Sequence, residues 1–201
     1  FASEQEFRKT DNWITDFSTT LDQDKLYTTR EFFALMGKEL LKVAKEPGIL
    51  TAAALKNVPI YCPAMGDSSI GIALADGLVK GKSNIKFDVV RDIVETAEIA
   101  RCSKKTGVIY VGGGTPKNFI QQTEVTISIF GFEGRGHDFA IQITSDSPQW
   151  GGLSGCTFEE AQSWGKIAEG AAMVTLNADA TIALPILVQA LVDKGIKRKA
   201  K

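Results

Sequence analysis

The segment FEEAQSWGKIAEG, residues 158–170, sets Lys166 directly after Trp164 and Gly165 and behind the paired carboxylates Glu159 and Glu160. A lysine is a nucleophile only when its amine is unprotonated, and partial burial against an aromatic wall such as Trp164 favours that form. A solvated surface lysine is the more frequent occurrence, and on these residues alone both readings stand. The lone histidine, His137, follows Gly-Arg-Gly with no cysteine or carboxylate at ligand spacing. This predicts a loop position, and with one histidine no Ser-His-Asp triad is evident.

Four further positions carry residues suited to a ligand, each just after a predicted strand. They are Asp67 with Ser68 and Ser69, the run Gly112–Gly114, the loop from Ser145 to Gly155, and Asp179. Three glycines between a strand and a helix let backbone approach a ligand closely and suit a pyrophosphate, although a tight turn explains them as well. The GxGxxG fingerprint is absent. Asp67 and Asp179 could hold ribose hydroxyls, and each could equally cap a helix, the commoner use of aspartate there.

The elements that must position these residues read as alternating helices and strands. The first twenty-five residues are polar and weakly periodic. TTREFFALMGKELLKVAK then opens with a threonine cap and Glu31 and repeats apolar residues at helical spacing. A short helix around LTAAALKN leads to VPIYCPA, a run of strand type; residues 70–79 and FDVVRDIVETAEIARCSK read as helices. TGVIYVGGG is a buried strand, TPKNFIQQTEVTISIFGF one helix, HDFAIQIT and AAMVTLNAD strands, and ATIALPILVQALVDKG a closing helix. Such alternation predicts a single α/β domain over residues 1–201, a Rossmann-like, mostly parallel sheet with helices on both faces.

Composition narrows the class. With 44% hydrophobic residues the chain can bury a sizeable core, and 23 basic against 24 acidic side chains leave a net charge of -1, giving no global attraction to nucleic acid or membrane. The basic tail KGIKRKAK lacks interleaved aromatics and reads as a solvated terminus. Cys62, Cys102 and Cys156 have no CxxC spacing, so neither a disulfide framework nor a metal site is indicated and a reducing cytoplasm is expected. No apolar run nears the roughly 20 residues that span a bilayer, and the start resembles no signal peptide. A first residue other than methionine suggests part of a longer protein.

CPAMGDSSIG, IYVGGGTPKNFI, GGLSG, EEAQSWGKI and NADATIALPILV, in that order, resemble the C-terminal half of the deoxyhypusine synthase family. The resemblance runs from about Trp13 to Asp193, and SWGK is its most specific motif. It implies that Lys166 forms a covalent imine intermediate, that NAD is the cofactor and that spermidine is the aminobutyl donor. The implied acceptor is a lysine of the precursor of the hypusine-containing translation factor. It further implies a homotetramer or heterotetramer with sites at subunit interfaces, completed by an N-terminal half or chain.

By the same resemblance Asp67, Gly113, Ser145, Asp146, Asp179 and Ala180 contact NAD, with Ser145 and Asp146 standing where the family has threonine and alanine. Gly151, Glu160 and Trp164 line the polyamine pocket, Glu160 holding an ammonium group and Trp164 offering an apolar, cation-attracting face. Ile72, Asn118 and Leu153 depart from an aspartate, a histidine and an aspartate of the eukaryotic enzymes, which weakens the Coulomb attraction for a polycation. Two alternatives therefore stand beside deoxyhypusine synthesis: a homospermidine synthase-like transfer to putrescine, and a non-catalytic partner subunit. The intact SWGK argues against the second.

Overall fold

The computed structural model describes residues 3–195, so the basic tail from 196 onward lies outside the described residues. The chain divides into two compact units, Phe1–Glu95 and Thr96–Lys201.

In the first unit the polar start of the chain forms helix α1, Glu4–Thr19, where periodicity alone predicted none. Its signal is a capping box: the Ser3 hydroxyl accepts from the Glu6 N–H, and the Glu6 carboxylate accepts from the Ser3 N–H at 2.9 Å. Thr28 and Glu31 cap α2, Thr29–Leu40, in the same way, as the sequence predicts. Strand β1, Leu26–Tyr27, precedes α2, and α3, Ile49–Lys56, follows it. A 3-10 turn at Met65–Asp67 leads into α4, Ser69–Val79, whose first turn is closed by the Ser68 hydroxyl accepting from Gly71 N–H at 3.0 Å.

Residues 58–64 form no strand, against expectation. Pro59 and Pro63 bracket the run and remove ladder donors, and the Cys62 N–H donates to the Thr29 hydroxyl at 2.9 Å instead of to a neighbouring strand. Asp67 therefore closes a 3-10 turn rather than following a strand. The unit's sheet is only the parallel pair of β1 with β2, Lys86–Phe87. Its core gathers Ile14, Phe17, Phe32, Phe33, Met36, Met65 and Ala73. Phe32 stands at its centre with edge-on contacts to Phe17 at 5.6 Å and Phe87 at 5.3 Å between ring centroids.

Helix α5, Val89–Arg101, runs across the division into the second unit. There β3, Gly107–Val111, β4, His137–Thr144, and β5, Ile167–Asn177, form a three-stranded parallel sheet in the order β3-β4-β5. The strand–helix alternation thus yields the mixed α/β fold with parallel sheets that the pattern predicts. The expected single helix after the glycine run is two, α6, Thr115–Gln121, and α7, Thr123–Ile129. At the break the Ile120 carbonyl receives side-chain donors, the Thr123 hydroxyl at 2.8 Å and a His137 ring nitrogen at 3.2 Å. Helix α8, Phe158–Ser163, packs Phe158 and Ala161 on the sheet face made by Val108, Tyr110 and Ala140, and α9, Ala180–Asp193, closes the unit.

His137 is not in a loop: it begins β4 and is 3% exposed. A carbonyl can only accept, so the Nε2 at Ile120 carries the proton and the Thr106 hydroxyl donates to Nδ1 at 2.9 Å. Desolvation pushes this imidazole below its ordinary pKa of 6.5, keeping it neutral despite the nearby Glu124 and Asp138. The other sheet face carries Ile109, Val111, Phe139, Val174 and Leu176 by strand register, each 46% exposed or more, around Ile143, which is 2% exposed. No helix among the described residues is long and apolar enough to cross a membrane.

Candidate active site

The second unit brings Lys166 into a cluster with Lys117, Asn118, Cys156 and Glu160. Why the motif places glycine before lysine is visible in the backbone. Trp164 ends α8, Gly165 takes a left-handed φ of 69°, the Gly165 N–H donates to Gln162 O at 2.9 Å and the Lys166 N–H to Ala161 O at 3.0 Å. Those two bonds are a Schellman motif, with Gly165 in the position where a Cβ is unfavourable and Lys166 immediately after it. The Lys166 carbonyl then accepts from the His137 N–H at 3.1 Å, so its backbone is fixed to α8 on one side and to β4 on the other.

At the far end of the side chain, Lys166 Nζ donates to Asn118 Oδ1 at 3.1 Å, and Asn118 Nδ2 donates to Gln122 Oε1 at 3.1 Å. Lys117, one residue earlier, is 4% exposed. All three of its ammonium protons are taken: by Gln142 Oε1 at 2.8 Å, Leu153 O at 2.9 Å and Cys156 O at 3.0 Å. Desolvation pushes Lys117 below its usual pKa, and the Lys166 charge acts in the same direction against Cys156 and Glu160. Burial, and then the hydrogen bond and charge of Glu160, push the Cys156 thiol up, so this cysteine is a neutral neighbour rather than a competing thiolate. Trp164 is 66% exposed and stands open to solvent rather than walling Lys166.

Sequence reasoning missed Lys117, Gln122 and Gln142. The signal lay in α6 and α7, where Lys117, Gln121 and Glu124 turn inward while Ile120 is 42% exposed. An inward face made of polar residues is expensive unless each finds a partner, and such a face marks a built site.

The expected nucleotide residues of this unit lie at adjacent strand ends. Parallel pairing sets Val111 beside Ile143 and Thr144 beside Asn177, so the turn Gly112–Gly114, Ser145 with Asp146, and Asp179 with Ala180 follow neighbouring strand ends. Asp179 caps α9, its Oδ1 accepting from the Thr181 N–H at 2.8 Å and hydroxyl at 2.6 Å, and these bonds hold its carboxyl below the usual range. Gly113 meets the chain itself: a Cβ there would lie 2.2 Å from Ser154 Cα. Gly151 closes the 3-10 turn Pro148–Trp150 in the same loop, and Leu153 is 43% exposed beyond the carbonyl that holds Lys117. Asp67 and Ile72 belong to the first unit, where Ile72 is 66% exposed.

The family model for deoxyhypusine synthase matches residues 1–191. The chain is 52% identical to "Probable deoxyhypusine synthase 2" of Methanosarcina mazei, over all of this chain and 58% of that protein. It is 49% identical to the protein of the same description from Archaeoglobus fulgidus, covering 99% of this chain and 64% of the relative. It is 38% identical to a "Deoxyhypusine synthase-like protein" of Nostoc, covering 96% and 53%. Its fold is that of the "Crystal Structure of a putative deoxyhypusine synthase from Entamoeba histolytica", with a TM-score of 0.66 at 22% identity over 93% of this chain and 56% of that one. The chain thus spans less than two thirds of the length of these relatives. On a match running through SWGK and nearly the whole sequence, the chain belongs to the deoxyhypusine synthase family.

Proposed function

We propose that this chain carries the imine-forming half of a deoxyhypusine synthase, an NAD-dependent transferase. It would move the aminobutyl group of spermidine to a lysine of the precursor of the hypusine-containing translation factor. The observation that carries this reading is the presentation of Lys166: a nucleophile fixed through its backbone at both ends, with its amine on a neutral acceptor beside Glu160.

The residues at the strand ends fit NAD. At Gly112 and Gly114 the backbone faces open space, and the exposed Asp179 at the next strand end but one offers a carboxylate of the kind that takes ribose hydroxyls. Gly113, Ser145, Asp146, Asp179 and Ala180 would hold it. The chemistry that NAD would supply there is hydride acceptance from the donor polyamine and hydride return to the product. Lys166 as a free amine adds to the oxidised donor carbon, 1,3-diaminopropane leaves as an amine, and the four-carbon fragment stays on Nζ as an imine. The acceptor lysine then displaces Lys166, which recovers its amine. Glu160 would pair with the donor's ammonium, and Trp164 and Gly151 would line the chain of methylenes.

Completion by the remainder of the family's chain, and assembly as a tetramer, belong to the same proposal; the exposed apolar sheet face of the second unit supports the first. One observation favours a second reading, transfer to putrescine in the manner of a homospermidine synthase. Leu153 is an exposed apolar side chain and Asn118 is engaged with Lys166, so neither supplies a charge for a polycation.

Borohydride added during turnover with labelled spermidine tests the proposal. The label should appear on Lys166 and vanish in Lys166→Arg, whose guanidinium stays protonated. Label on Lys117 in place of Lys166, or undiminished label in Lys166→Arg, defeats it. Release of labelled homospermidine on adding putrescine selects the second reading.

A further inference from the structure

Asn118 does more than occupy a position where the eukaryotic family members hold a histidine. We infer that Asn118, with its amide oriented by Gln122, is a positioning residue that keeps the lone pair of the Lys166 amine unblocked. This deepens the proposed function and rests on it for the identity of the electrophile, though not for the geometry.

The argument starts from donors and acceptors. An asparagine offers Lys166 either a carbonyl oxygen, which only accepts, or an NH2, which only donates. A neutral amine has two N–H bonds and one lone pair. If the NH2 faced it, an amide hydrogen would point into that lone pair and occupy the electrons needed for attack. With Oδ1 facing it, an amine hydrogen is used instead and the lone pair is left for an incoming carbon. Gln122 selects the second arrangement, because its Oε1 can only accept and lies 3.1 Å from Asn118 Nδ2. The backbone of Gln122 is fixed at the junction of α6 and α7, its N–H donating to the Asn118 carbonyl at 2.9 Å and its carbonyl accepting from Thr126 N–H at 2.8 Å, so its side chain reaches Asn118 from a set position.

Charge matters as much as direction. An aspartate in this place would offer the same oxygens with a full negative charge and so favour the ammonium form. A neutral amide carries no such bias. The other groups in this neighbourhood are Lys117 on α6, Cys156 in the loop before α8 and Glu160 on α8, all electrostatically linked to the cluster. Lys117 is held by three fixed oxygens, Cys156 is a neutral thiol and Glu160 carries the negative charge of the cluster, while Asn118 is the group that bonds Lys166 Nζ directly, at 3.1 Å.

The test reads Lys166 without depending on spermidine. The intact protein is treated with propanal and cyanoborohydride across a range of pH, and peptide mapping follows the modification of Lys166, with an exposed lysine such as Lys9 as internal reference. Asn118→Asp should displace the Lys166 profile to higher pH, slowing modification about tenfold at fixed neutral pH for each unit of displacement, with the reference unchanged. Gln122→Leu, which frees the amide to flip, should slow modification without displacing the profile. Superimposed profiles for wild type and Asn118→Asp, in proteins with equal melting temperatures, would overturn the inference. If labelled spermidine never reaches Lys166 but the propanal profiles shift as stated, the transfer reading fails and the positioning role stands.

Discussion

Gly113 and Ser154 stand so close that a Cβ on Gly113 would lie 2.2 Å from the Ser154 Cα and 2.6 Å from its Oγ. Backbone therefore meets backbone between the turn after β3 and the loop before α8, and this contact seats the carbonyls of Leu153 and Cys156 over Lys117.

Gly113→Ala should push that loop away at a cost of about 1–3 kcal/mol, the usual penalty of overpacking. A melting temperature lowered by several degrees, with faster proteolysis between residues 145 and 157, is the expected result. An unchanged melting curve would show that the loop yields freely.

Gly165→Ala tests the turn that delivers Lys166. Nothing lies within 4 Å of a Cβ built there, so the cost is the left-handed backbone alone, about 1 kcal/mol. Gly165→Asn should recover much of the loss, since asparagine tolerates this conformation, and imine trapping on Lys166 should follow the same order: glycine, asparagine, alanine.

His137 makes a pH prediction with a definite sign. Its pKa is lowered in the folded chain, so below 6.5 the unfolded chain binds a proton that the folded chain refuses. Stability should be flat above that value and should fall as pH drops beneath it. Denaturant titrations on the two sides of 6.5 should show a smaller acid loss in His137→Gln than in the parent; equal losses would place the acid sensitivity elsewhere.

Leu153→Asp should raise the preference of the intact protein for longer, more highly charged polyamines. Competition between spermidine and putrescine as ligands reads this directly, and an unchanged ratio in the variant would remove this position from the pocket.

Much of this fold could be read from local signals. The cap at Thr28 and the apolar runs of β3 and β4 are written in consecutive residues, although β3, expected to be buried, exposes Ile109 and Val111 and Ser68 rather than Asp67 caps α4. Helix α1 was equally written, in its Ser3–Glu6 capping box, but its polar first turns hid the periodicity. The run 58–64 misled because apolar composition says nothing about ladder donors, and two prolines removed them. The two-residue strands β1 and β2 are too short to leave a pattern. Within the site, the lysine and its glycine were legible as a motif, whereas the cage around Lys117 was not. Its oxygens come from Gln142, Leu153 and Cys156, 25 to 39 residues away, and no local rule connects them.

The exposed apolar sheet face through Ile109, Val111, Phe139, Val174 and Leu176 has a consequence governed by mass action. A polypeptide that binds this face in the folded chain, and has no hold on the unfolded one, raises stability with the logarithm of its own concentration. The melting temperature of the second unit would then be a property of a mixture, rising with dose, and the sheet that Lys166 leads into would be as durable as its cover is abundant.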